Sequence, residues 1–220
     1  MTAMSNRFAI VALAAAIAST ACARPRASEP APADHAELEA IYRARLDSAK
    51  MRFTAADVRF MTDMIAHHAQ ALVMSRLAQT NGASPPVQTL AGRIINAQND
   101  EIATMRRWLR DRGQPVPEVH SDATSTMAHG AEHGTLMPGM LTDAQLQELQ
   151  QARNRKFDEL FLRYMIQHHR GAVVMVRDLF ATDGAGQDEA VFKFASDAQV
   201  DQSTEIARME LMLAELGASP

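Results

Sequence analysis

The sequence has 220 residues, one cysteine, and 26 Asp and Glu against 22 Lys and Arg, for a formal net charge of −4. One cysteine excludes an internal disulfide framework, and the absence of a basic stripe argues against nucleic acid as a partner. Aromatic residues are scarce at 5%, whereas Met is abundant: of 14, all but Met1 and Met4 lie beyond the first 22 residues.

The chain opens on a targeting segment, residues 1–22. Arg7 supplies a positive start, Phe8 to Ile17 an apolar run too short to span a bilayer, and Ala18 to Ala23 a small-residue cleavage zone. Two cleavages fit. Ser19-Thr20-Ala21-Cys22 resembles a bacterial lipobox, which would leave Cys22 as a lipidated first residue and attach the protein to a membrane. Ordinary cleavage near Ala21 or Ala23 would release it. Either route exports the protein to the periplasm or the cell envelope. Residues 23–34 form a Pro/Ala-rich linker without apolar periodicity.

A short helix is expected over His35 to Lys50, ahead of the repeats of a duplicated domain spanning 35–217. Copy one covers 51–112, a Met/His-rich loop 113–141, and copy two 142–217. Phe60, Met64-Ile65, His67-His68, Ala71, Val73 and Met74 recur as Phe161, Met165-Ile166, His168-His169, Ala172, Val174 and Met175. A second stretch follows each copy: Gln98, Glu101, Ile102, Met105 and Leu109 match Gln202, Glu205, Ile206, Met209 and Leu213. Agreement over two helices in each copy is the mark of an internal repeat. Apolar residues spaced by three and four make all four stretches helical.

Boundary signals are local. Thr54 with Asp57 caps the first helix; Asn81-Gly82 and Pro85-Pro86 mark a stop and restart, with Ser84 as the cap; Gly113 ends the second. Thr142 with Gln145 opens copy two, Asn154 marks a site where the stretch 142–183 divides or continues, Gly184 and Gly186 break it, and Gly217 closes the last helix. The predicted fold is all-α, a four-helix bundle made of two repeated helical hairpins.

The middle loop holds His129, His133, Met137 and Met140 among glycines and a proline. It reads either as a plain connector or as an auxiliary metal-catching segment.

The chemistry lies in the repeated stripe. At about 100° per residue, Met64, His67, His68, Ala71 and Met74 fall on one face, and Met165, His168, His169, Ala172 and Met175 repeat it. Bordering apolar residues turn that face inward. Buried imidazoles leave ring nitrogens unsatisfied unless something binds them. Imidazole with thioether, without thiolate, suits copper(I), with silver(I) as its analogue. Core filling by Met and hydrogen-bonded core histidines are the competing explanation, but a His pair framed twice by Met favours a metal. Imidazole must be neutral to bind, so affinity is expected to fall below about pH 6. Glu101 and Glu205 either orient the ligating histidines from behind, ligate a harder metal, or sit solvated at the boundary.

Two other classes of function compete with this one. A ferritin-like iron or manganese metalloenzyme needs Glu-x-x-His on two helices, but Met64 and Met165 occupy those Glu positions. A metal-free envelope protein would use the Met/His face to dock a partner. Nucleophilic catalysis has no support: there is no Gly-x-Ser-x-Gly elbow and no phosphate-binding loop.

The doubled motif Phe-x-x-x-Met-Ile-x-His-His-x-x-Ala-x-x-Met, Phe60 to Met74 and Phe161 to Met175, resembles the bacterial domain-of-unknown-function family numbered 305. Met137-Pro138-Gly139-Met140 ahead of copy two adds to the likeness, which covers roughly residues 50 to 215. The resemblance implies a ferritin-like bundle outside the cytoplasm. It also implies copper binding through Met64, His67, His68, Met74, Met165, His168, His169 and Met175. The function expected from the residues is sequestration or transfer of the ion without catalysis, with a metal donor or acceptor protein as partner. Asp63 against Tyr164 departs from strict equivalence of the copies.

Overall fold

The structure is a computed structural model that describes residues 34–50, 52–118 and 136–218. The targeting segment, Cys22, His129 and His133 lie outside the described residues. The chain divides into two compact units, Met1–Ala40 and Ile41–Pro220. In the first, residues 34–40 carry the opening turns of helix α1 (His35–Lys50), capped by the Asp34 carboxylate, which accepts from Glu37 N at 2.9 Å.

The second unit holds α2 (Ala55–Arg76), α3 (Pro85–Asp111), α4 (Asp143–Gln151), α5 (Asn154–Phe180) and α6 (Glu189–Ala218). No strand occurs among the described residues. α2 packs on α3 and α5 on α6, and the two hairpins join along α2 and α5. The join is antiparallel. Phe60, Met61 and Met64 from the first half of α2 share one core group with Ala172, Val176 and Leu179 from the second half of α5. Ala71 and Met74 share the other group with Phe161 and Met165. Each hairpin thus buries against the other the face it cannot bury alone. Full burial of one such Met or Phe contributes about 1.5–3 kcal/mol.

Two buried carboxylates tie the hairpins end to end. Asp57 closes a capping box with Thr54 at the start of α2, and its other oxygen accepts from Gly186 N at 2.7 Å, in the turn before α6. Asp158, its counterpart in α5, accepts from Ser84 N at 3.1 Å, in the turn before α3. Each repeat's aspartate therefore holds the turn of the other repeat.

Two local expectations are corrected, for Ser84 and Gly217, and one left open, at Asn154, is resolved. Ser84 occupies the N-cap of α3, but its hydroxyl makes no capping bond; its backbone N–H is instead held by Asp158. The stretch 142–183 does divide, between α4 and α5, because the buried Asn81 amide donates to the carbonyls of Leu149, Gln150 and Ala152 at 3.0–3.2 Å. Asn154 takes a positive φ of 54° there and donates its N–H to Asn81 O at 2.8 Å. Gly217 does not close α6, which runs on to Ala218.

Candidate metal centre

All four histidines of the repeated motif are fully buried, at 0% exposure. They make up one buried polar layer. His67 and His168 are repeat equivalents and stack on each other, with ring centroids 3.8 Å apart and planes tilted by 37°. Their equivalence in both sequence and space puts the pseudo-two-fold axis of the duplicated fold through this pair.

Every one of the four rings directs Nε2 at an oxygen that can only accept. His67 Nε2 donates to Pro138 O at 3.0 Å, and His168 Nε2 to the backbone oxygen of His67 at 3.0 Å. His68 Nε2 lies 2.6 Å from Glu101 Oε2, and His169 Nε2 lies 2.6 Å from Glu205 Oε2. Carbonyls and carboxylates must be met by N–H, so the proton resides on Nε2. In a neutral ring this leaves Nδ1 as a bare lone pair. Each of the four Nδ1 atoms is buried and has no hydrogen-bond partner. A buried polar atom left so costs about 1–3 kcal/mol. Four in one layer is a large sum to leave unanswered, and a metal ion is one way to answer it.

Burial pushes His67 down to about 3, reinforced by the neighbouring His68 and His169 and partly opposed by the Pro138 carbonyl. Burial likewise holds His168 well below the ordinary imidazole value, with His67, His169 and His68 adding to the effect. The expected loss of affinity below about pH 6 is therefore corrected for these two rings. They stay neutral, and free to ligate, at far lower pH.

The four thioethers of the repeated motif are divided between the two core groups. Met64, Met74 and Met165 are fully buried, and Met175 is partly buried against the first core group. The candidate ligand set leaves out Met61, Met105 and Met209, which are also fully buried in the two groups. The helical spacing of Met61 from Met64 and His68, and the repeat equivalence of Met105 with Met209, are the signals that point to them. Among the described residues, no three His, Cys, Asp or Glu side chains are arranged to hold a metal between them. The donors that remain are imidazole Nδ1 and thioether sulfur. Both are right for copper(I) or silver(I), and they are a poor set for iron or manganese.

Glu101 and Glu205 sit behind the histidines with side chains 22% and 27% exposed. Each carboxylate touches Nε2 there, and the Nδ1 of each ring stays buried. Of the middle loop, Met137 is half-buried and Met140 buried. They flank the Pro138 carbonyl that receives His67. Sequence pattern gave no sign of how this segment is held. It is clasped by Gln70, whose amide exchanges two hydrogen bonds with the backbone of Leu141, at 3.0 and 2.7 Å. It is seated on Gly171, where a Cβ would lie 2.0 Å from Pro138 O. Gln70 and Gly171 occupy equivalent repeat positions, so this pair is one source of the asymmetry of the site.

The chain is similar to several proteins of known structure. The family model described as "Domain of unknown function (DUF305)" matches residues 57–213. A crystal structure of a DUF305 protein from Streptomyces coelicolor is 30% identical with a TM-score of 0.61, covering 74% of this chain and 95% of its own. A DUF305 fragment from Deinococcus radiodurans is 29% identical with a TM-score of 0.60, covering 74% and 98%. CopM in its Cu(I)-bound form is 28% identical with a TM-score of 0.55, covering 72% and 96%, and Cu(II)-bound, Ag-bound and apo forms of CopM match similarly. No curated protein matches. With the doubled His-His motif, the bundle and the family match in agreement, the chain belongs to the DUF305 family.

Proposed function

We propose that this protein binds copper(I), and silver(I) by the same chemistry, in the cell envelope, and that it sequesters the ion or passes it on without catalysis. The ligands in this reading are Met64, His67, His68, Met74, Met165, His168, His169 and Met175. The observation that carries it is the set of four buried imidazoles whose Nε2 atoms are all committed to oxygen acceptors while all four Nδ1 atoms are bare. Such a layer offers a soft cation unpartnered ring nitrogens, and burial keeps the His67 and His168 rings neutral.

Glu101 and Glu205 fix the rings of His68 and His169 from the far side, as carboxylates do for ligating histidines. Met137 and Met140, with His129 and His133 of the same sequence segment, serve as auxiliary donors. The likeness to CopM, crystallised with Cu(I), Cu(II) and Ag, supports the metal. Export rests on the first 22 residues and on likeness to the Streptomyces protein, named as a candidate secreted protein. A lipid on Cys22 would anchor it, and a metal donor or acceptor protein would be its partner.

Competition against a chromogenic copper(I) chelator tests the reading. Tight uptake by the unaltered protein, abolished in His67→Ala/His168→Ala, is expected. No uptake, or uptake that the double variant retains in full, would overturn it. Bound iron with oxygen consumption would point instead to the metalloenzyme class.

A further inference from the structure

From the packing of the histidine and methionine side chains we infer that the chain holds two metal ions rather than one, in a pair of centres related by the repeat. The inference rests on the copper(I)/silver(I) reading above. It begins at the stacked pair. A metal bound by an imidazole lies in the ring plane, about 2.0 Å beyond the nitrogen. Two rings sharing one ion at a tetrahedral or wider angle therefore keep their centroids roughly 5 Å or more apart. His67 and His168 stand at 3.8 Å, and their Nε2 atoms are committed to different acceptors, Pro138 O and His67 O. Stacked in this way, they do not converge on a common ion.

The methionines divide along the same line. Met61, Met64 and Met105 belong to one core group, with Met175 packed against it, while Met74, Met165 and Met209 belong to the other. No methionine belongs to both. Each group draws thioethers from both hairpins, so neither centre belongs to one repeat alone. Met64 lies one helical turn before His67 and His68, at the spacing that puts side chains on one face. Met165 lies one turn before His168 and His169 in the same way. The first centre therefore combines Met64 and Met175 with Nδ1 from the α2 histidines. The second combines Met165 and Met74 with Nδ1 from the α5 histidines. The repeat is then the reason for the stoichiometry: duplication of a hairpin that could not complete a site alone made two complete ones across the axis.

Silver(I), counted by native mass spectrometry after exchange against a thioether competitor, tests this directly. The unaltered protein should retain two ions. Met64→Leu/Met175→Leu and Met74→Leu/Met165→Leu should each retain one, and the quadruple variant none. Leu for Met keeps volume and apolarity, and such exchanges are well tolerated in cores; a melting curve checks the fold of each variant. A single retained ion in the unaltered protein, lost in either double variant, would show one shared centre and overturn the inference while leaving metal binding intact. A count of two that survives either double variant would also overturn it. No retained silver would instead overturn the metal-binding reading itself.

Discussion

The Glu101 carboxylate meets His68 Nε2 at 2.6 Å, and the contact recurs between Glu205 and His169 at the same distance. It is the most faithfully repeated polar contact of the two hairpins. Its effect is to choose the tautomer: an acceptor at Nε2 leaves Nδ1 to face the interior. A Gln in place of Glu101 can present either its oxygen or its NH₂ to the ring, so it weakens that choice without removing the side chain. Glu101→Gln is expected to lower copper(I) affinity about 10–100-fold, the range for lost carboxylate support behind a ligating His. Chelator competition reads this. An affinity unchanged within a factor of about two would show the contact to be structural only.

Acid should destabilise the metal-free protein through His67 and His168. Both pKa values are lower in the folded state than in the unfolded chain, so below about 6.5 the unfolded chain binds more protons, down to about 3 in the case of His67. Stability is therefore fully present above the unfolded imidazole value and is lost as pH falls through that window. Each unit of displacement corresponds to about 1.4 kcal/mol, enough for protonation of two rings to exhaust much of a domain's stability. Melting temperatures taken from pH 7 to pH 4 should fall, and His67→Leu/His168→Leu should flatten the slope. Equal slopes would exclude the pair as its source.

Gly171 is where α5 admits the Met137–Leu141 segment. An added Cβ would meet Pro138 O at 2.0 Å and Gly139 Cα at 2.5 Å, both backbone. Gly139 cannot yield easily, since its own φ is +76°. Gly171→Ala should therefore destabilise by about 1–3 kcal/mol, the usual cost of overpacking, and should displace the carbonyl that receives His67. Gly92, in α3, is the matched control, because a Cβ added there would have no neighbour within 4 Å. Gly92→Ala should stabilise by about 0.5–1 kcal/mol. Denaturant midpoints separate the two. Equal shifts in the same direction would contradict the seating of the loop.

The readability of this sequence follows the range of its interactions. Thr54 with Asp57 and Thr142 with Gln145 close capping boxes within four residues, so the starts of α2 and α4 were visible from local pattern. The repeat made the bundle and the inward face of His67, His68, His168 and His169 legible for the same reason: helical periodicity is local. What escaped is held across the fold. The division before Asn154 depends on the Asn81 amide from the other hairpin. The role of Asp158 depends on Ser84, and the seating of Pro138 over His67 depends on Gln70 and Gly171. Glu101 and Glu205 stayed open between support for the histidines, a hard-metal ligand and a solvated boundary position, because periodicity gives direction and not distance from the surface.

The central claim is that the four Nδ1 atoms are the nitrogen donors, and imidazole ¹⁵N spectra of the labelled protein titrated with silver(I) address it most directly. Metal-free protein should show all four rings with Nε2 protonated. On addition of silver(I), the Nδ1 resonances of His67, His68, His168 and His169 should move while their Nε2 resonances stay nearly fixed. Shifts confined to Nε2, or no shift in any of the four rings while silver is bound elsewhere, would contradict the account.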